Sequence, residues 1–247
     1  MYYLKDLLKK LTYEVVCGSD DIYVKSVVND SRKVSEESLF ICIAGGAFDG
    51  HQFVEEVVEK GATVLVVERD IEIPKKDGIT VIKVADTRYA MAFISAAWFG
   101  HPADKLSVIG ITGTKGKTTT ALLIRSLLED AGIPTGYIGT NGVDYGEYHY
   151  ATVNSTPESV EIYRYLRYML DEGVKACVLE VSSQALWMGR TRGLIFDTVL
   201  FTNLSRDHIG GVEHPDFEHY RDSKRSLFTD YPTGAVVACA DDPHTPY

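Results

Sequence analysis

The chain has 247 residues, 45% of them hydrophobic and 24% charged, with a formal net charge of −10. This length supports one large domain or two ordinary ones with real cores, and the composition is that of a globular protein. A net negative charge without a clustered basic face argues against a nucleic-acid footprint, so phosphate contacts are expected to be few and local. Four cysteines, Cys17, Cys42, Cys177 and Cys239, are far apart and form no C-x-x-C pair. They are expected to be small core residues of a reduced, cytoplasmic protein. The opening MYYLKDLLKKL carries lysines throughout and lacks an apolar core before a cleavage site, and no apolar run approaches a bilayer span, so no membrane insertion is expected.

In chain order, Tyr3, Leu4, Leu7, Leu8 and Leu11 have helical spacing over residues 2–11. Short strands are expected at 23–28, 39–43, 63–67 and 79–84. A helix is expected over 51–60, stopped by Gly61, and another over 86–99, capped by Asp86. Together these form a compact α/β unit of about 100 residues. The run Gly100-His101-Pro102 combines a helix stop with a proline, so the domain boundary is placed at 102/103. Strand and helix then alternate: strand 108–112, helix 117–131, strand 135–139, helix 157–171 with Thr156 as its cap, strand 174–181, strand 198–202, helix 217–228 and strand 235–240. This alternation implies a mainly parallel sheet with helices on both faces and a ligand crevice at the strand C-termini.

The most informative stretch is VIGITGTKGKTTTA, residues 108–121. Gly113 and Gly116 break a β-branched run just before a helical pattern, which is the order strand, phosphate loop, helix. Glycines let backbone N–H groups approach phosphate oxygens, and the helix N-terminus faces the same anion. Thr112, Gly113, Thr114, Lys115, Gly116, Lys117 and Thr118 are therefore the candidate nucleotide-binding residues. Lys117 would reach the outer phosphates and Thr118 would place its hydroxyl on a magnesium ion. The residue five before Gly116 is Ile111, not the glycine of the general P-loop pattern.

If the loop marks the crevice, the other strand ends should carry polar residues. Strand 174–179 runs into Glu180, either a magnesium ligand opposite Thr118 or a capping or solvated glutamate. Strand 198–202 runs into Asn203, Asp207 and His208, a costly sequence for a plain loop. His208 is read as functional, against the alternative of a surface histidine. Lys224 falls one turn after Tyr220 on the same helical face, and its spacing alone marks only a solvated lysine.

In this order, TGTKGKTT, NSTPE, EVSS, TNLSRDH and HYRDSK-x-x-LF resemble the Mur ligase family of ATP-dependent amino-acid ligases, and DSRKV, LFICIAG and DGHQF resemble its N-terminal, uridine-nucleotide domain. The resemblance covers nearly all of the chain. It implies a UDP-muramoyl-binding domain over 1–102 and a central ATP-binding domain over 103–247, whose family counterpart continues into further structure. The implied substrates are ATP, UDP-N-acetylmuramoyl-L-Ala-D-Glu and a free amino acid, lysine or diaminopimelate, and the implied form is a monomer.

The resemblance also implies roles for individual residues. Thr118 and Glu180 would hold one magnesium ion, and His208 with a carbamylated Lys224 the second. Asn154, Ser155, Thr156, Ser182 and Arg190 would grip the muramoyl-dipeptide, and Ser31 and the loop Gly46, Ala47, Phe48 the uridine nucleotide. Gln184 stands where the family has histidine, Met188 where some members have a polar residue, and the connection after His208 is longer than usual. A truncated, non-catalytic UDP-sugar and ATP-binding paralogue is the alternative. A folate-type ligase is disfavoured by DSRKV and DGHQF.

Overall fold

The β-branched runs of the first hundred residues pair side by side, as their composition demands. In the computed structural model, which describes residues 2–45, 49–211 and 213–245, the chain divides into two units, Met1–Gly100 and His101–Tyr247. The first contains β1 (Tyr2–Tyr3), α1 (Leu4–Leu7), β2 (Tyr13–Cys17), β3 (Tyr23–Val24), β4 (Ser26–Val28), β5 (Ser38–Ile41), α2 (Val54–Glu59), β6 (Ala62–Val67), β7 (Thr80–Val84) and α3 (Thr87–Trp98). Its main sheet has the order β2-β7-β6-β5-β4, with β4 to β7 parallel and β2 antiparallel at one edge, while β1 pairs separately with β3. Phe40, Val57, Leu65 and Val81 form its core with Val54 and Val58 of α2.

Two expectations need correction here, and one strand lies where none was predicted. The helix over 2–11 is a single turn: Tyr2 and Tyr3 are drawn into extended pairing with Tyr23 and Val24, and Leu4 N–H donates to the Ile22 carbonyl. The periodic leucines Leu4, Leu7 and Leu8 are nevertheless fully buried. The helix over 51–60 begins as a 3₁₀ turn, Gly50–Phe53, because the Asp49 carboxylate accepts from His51 N–H and tightens the entry. The strand β2 had no expectation, since its outward residues Glu14, Val15 and Val16 do not alternate in polarity.

Asp86 caps α3 through both Arg88 N–H (2.8 Å) and Tyr89 N–H (3.0 Å). Asp86→Ala should lower stability by about 1 kcal/mol, measured as a shift in denaturant midpoint at constant slope.

The second unit contains β8 (Ser107–Thr112), α4 (Lys117–Asp130), β9 (Thr135–Gly139), β10 (Gly142–Tyr145), β11 (Tyr148–Tyr150), α5 (Ser159–Asp171), β12 (Ala176–Glu180), α6 (Ser183–Trp187), β13 (Phe196–Phe201), α7 (Phe217–Thr229) and β14 (Thr233–Ala238). Its seven-stranded sheet runs β11-β10-β9-β12-β8-β13-β14. The five strands from β9 to β14 in that order are parallel, and the β10–β11 hairpin extends the sheet antiparallel. The α/β class with a mainly parallel sheet is thus the one expected, and β8 lies between β12 and β13, where the strand order reverses direction.

The hairpin was not expected, because its strands are only four and three residues long. Two boundaries also move. α5 starts at Ser159 with Glu158 as its N-cap, so Thr156 is not the cap; it is fully buried and its hydroxyl donates to the Glu180 carbonyl (2.8 Å). β13 starts at Phe196, two residues early, because the Asp197 carboxylate finds a partner in Val108 N–H (3.0 Å). Cys42 and Cys177 are buried core thiols, each pushed up to about 12 chiefly by burial, whereas Cys17 is half-buried and Cys239 exposed. Among the described residues no helix is long and apolar enough to cross a membrane.

Candidate functional site

The loop after β8 is held from the neighbouring strand end. Lys115 N–H donates to the Asn203 side-chain oxygen (3.0 Å), while the Lys115 carbonyl accepts from the Thr202 hydroxyl (2.8 Å) and the Asn203 amide (2.9 Å). Thr114 N–H donates to the Asn203 carbonyl (2.8 Å), and the Thr114 hydroxyl meets the Tyr220 hydroxyl of α7 (3.0 Å). Gly113 has φ of 147°, and a Cβ there would collide with the Thr202 hydroxyl, so only glycine lets the loop lie this close to β13. Gly116, at φ of 84°, turns the chain into α4. Thr112 lies buried at the base of the loop inside the sheet. The Lys117 amine donates to the carbonyls of Gly113 (2.9 Å) and Thr114 (3.1 Å), and burial lowers its pKa, with Glu180 opposing.

Glu180 ends β12, one step before Thr112 in register, and is fully buried. One carboxylate oxygen accepts from the Tyr137 hydroxyl (2.5 Å) and Thr140 N–H (3.1 Å); the other accepts from the Thr118 hydroxyl (3.1 Å) and the Thr140 hydroxyl (3.2 Å). The alternative of a solvated glutamate is therefore excluded. A Cβ on Gly139 would strike both Tyr137 and Glu180, which explains the glycine at the end of β9. Tyr137 and Thr140 were missed in the sequence: a tyrosine inside the run 135–139 has the pattern of a core residue.

Lys224 is not the solvated lysine its spacing suggests. It is buried on the inner face of α7 with Tyr220 and Leu227, and its amine donates to the Gly113 carbonyl (2.9 Å), the same acceptor that Lys117 uses. Burial, reinforced by Lys117, pushes the Lys224 amine down to about 7. His208 has φ of 55° and is half-exposed, and its Nδ1 lies 3.0 Å from the Glu213 carboxylate.

Lys117, Lys224 and His208 face one cavity of about 300 Å³ with Asn154, Ser155, Ser182 and Arg190. Gln184 also lines it. Thr156 sits behind this wall, where its hydroxyl accepts from Ser182 N–H (3.0 Å) and its carbonyl accepts from Arg190 (3.0 Å). Arg190 is buried and paired with Glu158 at 3.0 Å. Ser31 belongs to the first unit, at the start of a 3₁₀ turn capped by Asp30, and its carbonyl accepts from the Lys60 amine (3.1 Å). Gly46, Ala47 and Phe48 lie outside the described residues.

The donor set near the loop suits a hard dication. A threonine hydroxyl and a carboxylate, Thr118 and Glu180, are in direct contact, and oxygen ligands of this kind fit magnesium. Among the described residues no three His, Cys, Asp or Glu side chains converge as a metal cage.

A glycine-flanked turn at the switch point of a parallel sheet, joined to a polar cavity, is the place where α/β folds receive phosphate groups. Residues 111–247 match the family model described as Mur ligase middle domain, and residues 23–99 match that described as Mur ligase family, catalytic domain. The chain belongs to the Mur ligase family. It is 45% identical over 225 residues to the UDP-N-acetylmuramoyl-L-alanyl-D-glutamate--2,6-diaminopimelate ligase of Clostridium perfringens, a match covering 91% of this chain and 46% of that relative. It is 39% identical over 248 residues to the ligase of the same name from Geobacter metallireducens, covering 98% and 48%.

A solved structure of a UDP-N-acetylmuramoyl-L-alanyl-D-glutamate--2,6-diaminopimelate ligase shares the fold, with a TM-score of 0.83 at 24% identity, over 98% of this chain and 48% of the other. The MurF ligase of Thermotoga maritima in complex with ADP does so with a TM-score of 0.59 at 20% identity, over 89% and 47%. The chain thus spans about half the length of the curated relatives it matches.

Proposed function

We propose that this chain carries the ATP-phosphate and muramoyl-peptide sites of a ligase that adds the third residue to UDP-N-acetylmuramoyl-L-Ala-D-Glu in cytoplasmic peptidoglycan synthesis, acting as a monomer. The observation that carries the reading is the single cavity shared by Lys117, His208 and Lys224 with Asn154, Ser155, Ser182 and Arg190. Relatives named as diaminopimelate ligases favour diaminopimelate over lysine as the incoming amine. In the first unit, Ser31 and the loop 46–48 hold the uridine nucleotide.

The chemistry follows from charge. The D-glutamate γ-carboxylate attacks the ATP γ-phosphate and ADP leaves; the incoming amine then adds to the carbonyl of the acyl phosphate, and the tetrahedral intermediate collapses to the amide with loss of inorganic phosphate and a proton. Two anions must first approach each other, so the protein's task is to offset charge and fix geometry. Lys117 leaves the carbonyls of Gly113 and Thr114 for the outer phosphates, and Gly113 to Gly116 cradle the rest. Ser182, Asn154 and Ser155 orient the dipeptide, and Arg190, now paired with Glu158, turns toward its carboxylate.

Thr118 with Glu180, and His208 with a carbamylated Lys224, would hold magnesium ions, and such ions would supply charge neutralisation at the phosphoryl group. Carbamylation needs a neutral amine as nucleophile toward CO₂, and a buried lysine with its pKa near 7 supplies one at neutral pH.

The test is incubation of the chain with ATP, Mg²⁺ and UDP-N-acetylmuramoyl-L-Ala-D-Glu, with and without diaminopimelate or lysine, followed by mass spectrometry of the UDP-linked product. The expected result is a tripeptide formed only with an added amine. Tight binding of both nucleotides with neither product nor acyl phosphate would make the chain a binding module.

A further inference from the structure

Beside the cavity lies a line of three side chains that the roles above leave unused. The hydroxyl of Ser183, first residue of α6, lies 2.9 Å from Nε2 of His214. Nδ1 of His214 lies 2.7 Å from Nδ1 of His219, in the first turn of α7. Ser183 and His214 are 4% and 1% exposed, so neither can exchange its partner for bulk water, yet both line the cavity. The Trp187 ring stands edge-on to His219 with centroids 5.2 Å apart, and the Tyr220 ring stands edge-on to His214 at 5.3 Å. The two imidazoles are therefore held in place from both sides.

Proton counting couples the two hydrogen bonds. An imidazole nitrogen pair at 2.7 Å needs one proton between them, and a neutral imidazole carries only one N–H. His214 is buried, and its two ring nitrogens meet a hydroxyl and another imidazole rather than a carboxylate, so the ring is held as a neutral imidazole. Two arrangements remain. In the first, His214 donates from Nδ1 to His219, and its Nε2 must accept the Ser183 proton, which leaves Ser183 only lone pairs for the cavity. In the second, His219 donates from Nδ1 to His214, whose Nε2–H donates to Ser183, and the serine O–H is released to point at a ligand. Lys117 and Arg190 line the cavity, and the muramoyl-dipeptide read as its occupant carries carboxylates. An anion needs donors, and it selects the second arrangement.

We infer that His214 and His219 are positioning residues whose linked tautomers turn the Ser183 hydroxyl into a hydrogen-bond donor toward a carboxylate of the ligand in this cavity. The inference rests on the reading of the cavity as the muramoyl-dipeptide site. It assigns the connection after His208 a purpose, since that segment carries His214 between α6 and α7.

The experiment uses the full chain labelled with ¹⁵N-histidine, titrated with UDP-N-acetylmuramoyl-L-Ala-D-Glu by calorimetry and by NMR of the imidazole nitrogens. Binding is expected to leave His214 protonated at Nε2 and His219 at Nδ1. Ser183→Ala should weaken binding about tenfold. His219→Gln, whose amide still donates to His214, should restore near wild-type affinity, whereas His219→Leu should weaken it. In the Ser183→Ala background His219→Leu should have no further effect, because the serine is the only output of the pair. Bound ligand with His214 protonated at Nδ1, or unchanged affinity in Ser183→Ala, would overturn the relay alone. Failure of the unaltered chain to bind the nucleotide-peptide would overturn the functional reading and the relay together.

Discussion

On the proposed ligase function, Lys224→Ala is expected to lower turnover about a thousandfold and to be partly rescued by added acetate or formate. The lysine is buried, shares the Gly113 carbonyl with Lys117 and has its amine held near neutrality. Left as an ammonium it would add a second positive charge beside Lys117; as a carbamate it becomes an anionic oxygen ligand, and a small carboxylate can occupy the space that alanine opens. Wild-type turnover in Lys224→Ala would sink the carbamate assignment.

The pH sign follows from the direction of the shift. The amine titrates below its usual 10.5, at about 7, so the neutral form grows as pH rises through 7. At fixed dissolved CO₂, a ¹³C carbamate signal should therefore increase between about pH 6 and about pH 8. For the unmodified lysine, fold stability should also rise with pH between about 7 and 10.5, the window in which the unfolded chain keeps a proton that the folded chain has released.

Glu180 separates stability from chemistry through two substitutions. Glu180→Ala strands the Tyr137 hydroxyl and Thr140 N–H in a buried setting, and it should cost about 4 kcal/mol, a fall of about 10 °C in Tm for a chain of this size. Glu180→Gln should cost about 1 kcal/mol or less. Its carbonyl can take the oxygen position facing Tyr137 and Thr140 N–H, and the hydroxyls of Thr118 and Thr140 can rotate to accept from its amide. Gln removes only the charge. Mg²⁺-dependent ATP turnover should nevertheless fall at least about a hundredfold, and Mn²⁺ affinity measured by electron paramagnetic resonance in the presence of ADP should fall with it. A Gln variant with unchanged Mn²⁺ affinity would show that Glu180 serves the fold alone.

Much of the second unit was legible because its signals are local. Two glycines breaking a β-branched run and a following Lys-Thr pair identify a turn into a helix wherever they occur, and Glu180 could be set opposite Thr118 because parallel strands end at a common edge. Lys224 could not be judged from spacing. Helical periodicity put it on the face of Tyr220, but only the packed structure makes that face the buried one. Tyr137, Thr140, Thr202 and the Ser183, His214 and His219 line were out of reach for a different reason. All but the His214–His219 contact reach a partner tens of residues away, and no local pattern distinguishes a tyrosine that packs from one that also donates to a carboxylate. In the first unit the short helix at Leu4–Leu7 shows the reverse case, where correct periodicity predicted burial but strand pairing overruled the helix.

The grip of Thr202 and Asn203 on Lys115 bears on how a nucleotide is received. A glycine-flanked turn left to itself samples many conformations, and an incoming phosphate would have to freeze them, at roughly 1–2 kcal/mol per residue. Here the backbone of Thr114 and Lys115 is already fastened to the adjacent strand. An anion bound there would meet a preorganised cradle, with the freedom to be surrendered confined largely to the side chain of Lys117.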